Sequence, residues 1–229
     1  MTKRLARLVL LLAIALYVGA NAHARGDLVD LRRIDAVSGD AATGEANAAA
    51  CIACHGADGV SPIPTYPNLA GQSIEFLYWS LLAIQREARA DSPMTALVAG
   101  LTESGMRDLA AYFASMPRPP AQDAAPGAQG DRERGGLLYR QGDPARGMPP
   151  CQGCHGPNGE GLALAGSTPA RRTWPALRAQ PASYLEQKLA EHRTGGHRLT
   201  SNDHVMHGIA RTLNDEAIRD IAAWLRVQP

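Results

Sequence analysis

The stretches Cys51-Ile52-Ala53-Cys54-His55 and Cys151-Gln152-Gly153-Cys154-His155 are two copies of the pattern C-x-x-C-H, one hundred positions apart in a chain of 229 residues. Every cysteine of the chain belongs to one of them. The pattern is the attachment signature of c-type haem, in which two thiols one helical turn apart form thioethers and the histidine reaches the iron. The sequence therefore predicts two covalent haem c groups (iron), with thioethers at Cys51, Cys54, Cys151 and Cys154 and proximal iron ligands at His55 and His155.

Other chemistries of cysteine pairs fit these motifs less well. A thioredoxin-like redox pair follows a strand and opens a helix, and neither copy lies in such a context. Two cysteines and a histidine could hold zinc, but each copy lacks a sensible fourth ligand nearby. Two disulfides are common in an exported chain with four cysteines, yet the spacing favours haem attachment.

The first 24 residues have the pattern of a secretory signal peptide. Lys3, Arg4 and Arg7 precede the apolar run Leu8–Ala20, and Ala22-His23-Ala24 is a small-x-small cleavage site. The run has 13 residues, against roughly 20 needed to span a bilayer. We therefore expect cleavage after Ala24 and a bacterial, periplasmic protein with no transmembrane segment. Association with a membrane surface stays open.

Composition and charge narrow the function classes. The chain is 45% hydrophobic and 20% charged, as in a soluble globular protein. A formal net charge of +1 disfavours nucleic-acid binding and a disordered acidic tail. Residues 25–120 have a net charge of −4 and residues 121–229 a net charge of +2, so we expect partners to approach the two ends differently.

The repeat extends well beyond the haem motifs. Gly56–Gly59 corresponds to Gly156–Gly159, and Tyr66–Gln72 corresponds to Trp174–Gln180 after an insertion of 8 residues in the second copy. Such self-similarity indicates tandem copies of one small domain. We predict an all-α fold with three or four helices per half, a first haem domain over 25–116, a Pro/Gly/Ala-rich linker over 117–130 and a second haem domain over 131–229.

The last helix of each half carries an apolar stripe. Thr102 and Asn214 are expected N-caps, each preceded by a leucine (Leu101, Leu213) that packs on the helix. The stripe residues follow at helical spacing: Met106, Leu109, Ala110 and Phe113 in the first half, and Ile218, Ile221, Ala222 and Leu225 in the second.

Counting back seven residues from those leucines gives Met94 and Met206. Methionine is the haem-ligand type that the two halves share at this point. Both residues fall in segments that we expect to be polar loops, where a thioether has no obvious packing role. The sequence therefore predicts Met94 and Met206 as the second axial ligands of the two irons.

Other side chains could take that place. Met106 follows His55 by the same 51 residues that separate His155 from Met206, but its place in the stripe favours the core. His204 and His207 flank Met206 and could bind iron, with His207 the stronger rival. We expect His192 and His197 to be solvated surface residues.

Prolines could orient the proximal histidines. A backbone carbonyl on the free ring N–H of a ligating histidine fixes the ring and raises its basicity. Pro67 and Pro175 occupy matched positions for this role, and a plain turn proline is the alternative. Three other prolines compete: Pro62, Pro64 and Pro169.

Histidine and methionine ligation has a functional consequence. A thioether favours Fe(II) and raises the reduction potential, and two protein ligands leave no open site on the iron. The sequence therefore predicts an electron carrier with no catalytic residues. The alternatives are a haem subunit of a flavin or quinone dehydrogenase and a dihaem enzyme, either a peroxidase or a thiosulfate-oxidising one.

The chain resembles the dihaem cytochromes of the cytochrome c-four family from about Ala41 to Val227. The resemblance rests on five stretches: Cys51–Gly59, Pro67–Gln72, Leu138–Gly142, Gly147–Cys151 and Leu213–Leu225. It implies two cytochrome c-like domains related by pseudo-twofold symmetry, with haems close enough to exchange electrons. It also implies Met94 as a ligand of haem one, attached at Cys51 and Cys54, and Met206 as a ligand of haem two, attached at Cys151 and Cys154.

The resemblance further implies redox-protein partners: a membrane respiratory complex, a terminal oxidase or a periplasmic dehydrogenase. The chain departs from the family pattern in two places. Arg25–Gly39 is a charged extension before the first domain, and Arg178-Ala179 replaces the usual Ala-Gly. These departures bear on the choice of partner rather than on the haem chemistry.

Overall fold

A computed structural model describes residues 28–87, 92–121, 129–162, 167–197 and 199–229. The fold is helical, as predicted, and within these ranges β-structure is limited to two isolated bridges. The helices are α1 (Ala41–Asn47), α2 (Ala49–His55), α3 (Ile74–Glu87), α4 (Pro93–Val98), α5 (Glu103–Ser115), α6 (Arg132–Gln141), α7 (Gln152–His155), α8 (Pro169–Arg172), α9 (Ala182–Thr194), α10 (Ser201–Ala210) and α11 (Asp215–Arg226).

Helices α1–α5 form the N-terminal domain and α6–α11 the C-terminal domain. The expectation of three or four helices per half was too low, because short helices form in segments whose sequence suggested loops. The predicted signal peptide and half of the predicted linker, residues 122–128, lie outside the described residues. No helix in the described ranges is long and apolar enough to cross a bilayer.

In the N-terminal domain, α1 crosses α5 at close range. The Asp40 side chain caps α1 by accepting a 2.7 Å hydrogen bond from the Thr43 N–H. A Cβ on Gly44 would lie 2.0 Å from the Asp108 carbonyl oxygen. Because glycine alone leaves that space, the two helices meet backbone to backbone.

The C-terminal domain repeats this crossing with α6 and α11. Asp131 caps α6 through the Arg134 N–H, and a Cβ on Gly135 would lie 2.0 Å from the Asp220 carbonyl oxygen. Asp220 is 1% exposed and accepts a 2.7 Å hydrogen bond from the Asp131 N–H. The same close helix crossing at a glycine therefore occurs in both domains.

The predicted features of α5 and α11 are confirmed. Thr102 accepts a hydrogen bond from the Gly105 N–H, and Asn214 accepts one from the Ala217 N–H. All eight residues of the two apolar stripes are buried in their respective cores. Met106, at 0% exposure, is a core residue as predicted.

The extension before α1 crosses between the domains. We call residues 28–39 the N-terminal strap. At one end Val29 forms a parallel bridge with Thr200, and Leu31 is buried where the strap contacts α8 and α10. At the other end Val37 lies in the core of the N-terminal domain. The strap therefore ties the start of α10 to the other half of the molecule.

Candidate haem-binding sites

The two C-x-x-C-H motifs occupy matched places. The first ends α2 and the second forms α7 with Cys151 as its N-cap. Each helix stops at a glycine in the left-handed region, Gly56 and Gly156, both with φ +82°. A side chain is disfavoured at that φ, so the turn that follows each histidine depends on glycine.

Both proximal histidines are oriented by a proline carbonyl. His55 Nδ1 lies 2.9 Å from the Pro67 oxygen, and His155 Nδ1 lies 2.9 Å from the Pro175 oxygen. This confirms the two matched prolines in the role predicted for them. A carbonyl can only accept, so Nδ1 carries the proton and Nε2 keeps the lone pair that a metal ligand needs.

Burial sets the protonation of these groups. His55 and His155 are 5% and 7% exposed, and burial lowers the pKa of both rings, which favours the neutral, metal-binding form. Burial also raises the pKa of the Cys51 thiol and brings that of Cys151 to about 11. These thiols are therefore protonated at neutral pH.

The loop after each motif closes on itself in the same way. The Gly59 carbonyl accepts from the Leu69 and Ala70 N–H groups, and the Gly159 carbonyl accepts from the N–H groups of Leu177 and Arg178. The next residue is left-handed in both domains, with φ +66° at Gly71 and φ +56° at Ala179. Ala179 thus adopts the same backbone conformation as Gly71 at the matched position of the first domain.

The segments carrying the methionines are helical, which corrects the prediction of polar loops. Met94 lies half-buried in the first turn of α4, and Met206 lies half-buried in α10. Sequence reasoning missed these helices because α4 has six residues and α10 contains several poor helix formers. Each is stabilised by tertiary contacts.

Helix α4 is held from α3. The Gln85 amide donates hydrogen bonds of 2.8 Å to the Val98 carbonyl and 2.9 Å to the Leu101 carbonyl. Val98 is 1% exposed and anchors the end of the helix. The segment that carries Met94 is thus held near its C-terminal end.

Helix α10 is held at its N-terminus as well. Thr200 and Asp203 form a reciprocal capping box. Val29 of the strap donates to the Leu199 carbonyl and accepts from the Ser201 N–H, 2.8 and 2.9 Å. The capping box and the strap therefore fix the N-terminal end of the segment that carries Met206. Among the described residues, α4 has no counterpart of these two contacts.

The histidines near Met206 differ in their surroundings. His204 is exposed, whereas His207 Nδ1 lies 2.7 Å from the His192 carbonyl oxygen on α9. The expectation that His192 and His197 are solvated was wrong. His192 is half-buried, and His197 lies between carboxylates of Glu191 and Glu87, 2.8 and 3.4 Å away.

Several buried polar atoms suit a haem. Among the described residues, five buried side-chain atoms lack a hydrogen-bond partner: the donors Trp79 Nε1, Ser167 Oγ and Arg178 Nε, with Glu75 Oε2 and His192 Nδ1. Buried donors are normally paired, and indole, hydroxyl and guanidinium groups are suitable donors to the propionate carboxylates of haem. The donor set, two thiols and a neutral imidazole per site, also fits. Sequence reasoning missed these three residues because no local pattern marks them.

The two domains pack through polar groups that the sequence did not indicate. The Arg172 guanidinium pairs with Glu75, which is 1% exposed, at 2.6 Å across the interface. Ser73 Oγ also donates to the Arg172 carbonyl. Arg118, just after α5, donates to the Gly71 carbonyl at 2.8 Å and to the Glu160 carbonyl at 2.7 Å. These bonds hold the halves together.

Comparisons with known proteins agree with this architecture. The cytochrome c family model matches residues 41–117 and 141–228. The chain is 38% identical over 190 residues to cytochrome c4 of Pseudomonas aeruginosa, covering 82% of this chain and 89% of that protein. It is 32% identical over 188 residues to the thiosulfate dehydrogenase electron acceptor of Thiomonas intermedia, covering 80% of each. The crystal structure of reduced recombinant cytochrome c4 from Pseudomonas stutzeri matches with a TM-score of 0.71 and 33% identity, covering 84% of this chain and 100% of that one.

Proposed function

Because the chain belongs to the cytochrome c4 family of dihaem c-type electron carriers, we propose that it is a periplasmic protein that shuttles single electrons between redox proteins. The electrons pass through two haems, each with one histidine and one methionine as axial ligands. The family membership and the two cysteine pairs establish two covalent haem c groups. The location, the axial ligands and the partners are the proposal.

The observation that carries it is the matched pair of sites. The proximal histidines, His55 and His155, have the same carbonyl partner at the same distance. Met94 and Met206 stand seven residues before matched leucines. Among the rivals, Met106 is enclosed in the core. His207 Nδ1 lies against the His192 carbonyl, the arrangement that leaves Nε2 free in His55 and His155, so His207 stays the rival of Met206. The matched positions in the two halves support Met94 and Met206.

The proline carbonyls and the buried histidines have defined roles in this mechanism. Haem, when bound, supplies a one-electron iron couple. The proline carbonyls keep His55 and His155 in one orientation, so that the coordination need not rearrange when the charge changes. Burial of both rings excludes water from the proximal side. Two protein ligands on each iron disfavour peroxidase or thiosulfate-oxidising chemistry.

A second candidate role is electron acceptor of a dehydrogenase. The relative from Thiomonas intermedia is named as the acceptor of thiosulfate dehydrogenase. Co-purification from native periplasm separates the two roles: a freely eluting monomer indicates a shuttle, and a stable complex with a dehydrogenase indicates a subunit. N-terminal sequencing of the periplasmic protein tests export, with Arg25 expected as its first residue.

Substitution of each methionine tests the ligands. In the wild-type ferric protein we expect the weak near-infrared band of iron–methionine coordination from both haems. Met94→His should lower the potential of haem one alone, and Met206→His that of haem two alone. Met116→Leu, a change in the N-terminal core, is the control and should move neither. A Met206→Ala protein with haem two low-spin at an unchanged potential would assign the ligand to His204 or His207.

A further inference from the structure

The peptide group that orients the first proximal histidine is held by the other domain. The carbonyl of the Pro67–Asn68 peptide lies 2.9 Å from His55 Nδ1. The N–H of the same peptide, on Asn68, donates a 2.9 Å hydrogen bond to Gln180 Oε1 of the C-terminal domain. One peptide group thus links a ligand of haem one to a side chain of the opposite half.

The second site repeats this arrangement with the domains exchanged. The carbonyl of the Pro175–Ala176 peptide lies 2.9 Å from His155 Nδ1. The Ala176 N–H donates a 2.9 Å hydrogen bond to Gln72 Oε1 of the N-terminal domain. Gln72 and Gln180 are the last residues of the repeated stretches Tyr66–Gln72 and Trp174–Gln180.

Both glutamine amides are fixed by a second bond. Gln180 Nε2 donates to the Asn68 carbonyl at 2.8 Å, and Gln72 Nε2 donates to the Ala176 carbonyl at 2.9 Å. The two side chains are 6% and 5% exposed. In a buried site these bonds hold each Oε1 against the peptide N–H of the opposite domain, and Gln72 Oε1 also accepts a 3.1 Å bond from the Ser73 N–H.

Hydrogen bonds in series strengthen one another. A peptide whose N–H donates is polarised, and its carbonyl becomes a better acceptor. A stronger bond from the histidine Nδ1–H makes the imidazole a more basic ligand, and outer hydrogen bonds of this kind tune the potential of a haem. A more basic ligand stabilises Fe(III) and lowers that potential.

We propose that the glutamines are positioning residues that act across the domain interface, with Gln180 lowering the potential of haem one and Gln72 that of haem two. This inference rests on the proposed function in one respect, that His55 and His155 are iron ligands. Each haem thereby depends on the docked state of the opposite domain.

The test is a crossed pair of substitutions in the full-length protein with both haems. Gln180→Leu should raise the potential of haem one and leave haem two unchanged, and Gln72→Leu should do the reverse. Potentials are measured by spectroelectrochemical titration, and the haems are distinguished by the hyperfine-shifted NMR signals of His55 and His155. Gln180→Glu retains an acceptor oxygen, so haem one should stay at or below its wild-type potential.

The Nδ1 proton signals give a second readout. Gln180→Leu should shift the His55 signal and accelerate its hydrogen exchange, while the His155 signal stays in place. Ser73→Ala is the control, because it removes an uncharged bond across the same interface and leaves both glutamines intact. It should not produce the crossed pattern.

The result that overturns the proposal is an uncrossed one. If Gln180→Leu moves haem two, moves both haems equally or moves neither, the glutamines are only interface residues. Failure of the histidine ligation on which the proposal rests is separate, since it appears in the wild-type protein as missing hyperfine-shifted signals of His55 or His155 and does not depend on the glutamine variants.

Discussion

The two domains are nearly identical on the proximal side of the haem and differ on the side of the methionines. His55 and His155 have matching carbonyl partners, and both loops close on a glycine carbonyl. By contrast, Gln85 of α3 bonds to the C-terminal end of α4, whereas α10 has a capping box and the strap at its N-terminal end. The C-x-x-C-H motif determines the local geometry in both domains. The conformation of the segments that carry Met94 and Met206 depends instead on contacts with neighbouring elements.

The shared contacts are local in sequence, whereas the differing ones are not. The histidine–proline contacts span 12 residues in one domain and 20 in the other and have the same distance in both. Of the two methionine-bearing helices, the strap bonds to α10 in the described residues. We therefore expect changes in the shared elements to affect both domains alike, and changes in the strap to affect one.

The largest effect is expected at the helix crossings. Gly44→Ala and Gly135→Ala should each lower the free energy of unfolding by about 3 kcal/mol, because the added Cβ meets a backbone carbonyl. Denaturant titration measures the loss. Gly208→Ala, in α10 with nothing within 4 Å, is the control and should be neutral or slightly stabilising. A loss in one domain alone would break the equivalence of the crossings.

A change in the strap should destabilise α10 more than α4. Leu31 is 4% exposed and Leu28 is 56% exposed. Leu31→Ala should cost about 2–3 kcal/mol through the lost packing and accelerate hydrogen exchange of the α10 amides, with Leu28→Ala as the matched control. Hydrogen exchange followed by mass spectrometry compares α10 with α4. Equal acceleration in both helices would show that the strap has no preference.

A smaller effect is expected where the two loops differ by one methyl group. Ala179 has a left-handed backbone that disfavours a Cβ, so Ala179→Gly should raise the free energy of unfolding by up to about 1 kcal/mol. Gly71→Ala should lower it by about 1–2 kcal/mol, since its new Cβ would also lie 2.9 Å from Arg118. Thermal unfolding of both variants measures the pair. Equal signs for the two changes would contradict a shared conformation.

The smallest effect is expected from pH. Hydrogen bonds to Glu191 and Glu87 raise the pKa of His197 above its ordinary value. The protonated ring therefore stabilises the fold below the unfolded pKa, and this contribution, under about 1 kcal/mol, is lost as the pH rises through the folded pKa. Burial lowers the pKa of the neighbouring His192 to about 4. The contribution of His192 to stability therefore rises with pH, opposite to that of His197.

The measurement for this prediction is the difference in the free energy of unfolding between the wild type and His197→Gln. Denaturant titrations at matched ionic strength should show that this difference decreases as the pH is raised from mildly acidic to alkaline. Leu28→Ala, which changes no titratable group at an exposed position, is the control and should show a flat difference. A difference for His197→Gln that grows with pH would reverse the assigned sign.

Much of the fold was predictable because its signals are local. The spacing of Cys51, Cys54 and His55 indicates haem attachment on a single helical turn, and the repeated stripe of α5 and α11 predicted two buried helices. The helical state of the Met94 and Met206 segments was not predictable, since six to ten residues without a strong pattern become helical through contacts made elsewhere. The axial methionines and the domain limits stay predictions.

The sequence alone determined what each half binds and that there are two halves, because covalent attachment and helical periodicity depend on residues a few positions apart. Tertiary structure decided which prolines face the histidines, where the strap docks and which glutamine meets which peptide. Gln180 and Asn68 are 112 positions apart, and no local pattern predicts their hydrogen bond. Their contact exists because two copies of one domain pack face to face, and that packing depends on the whole surface of both.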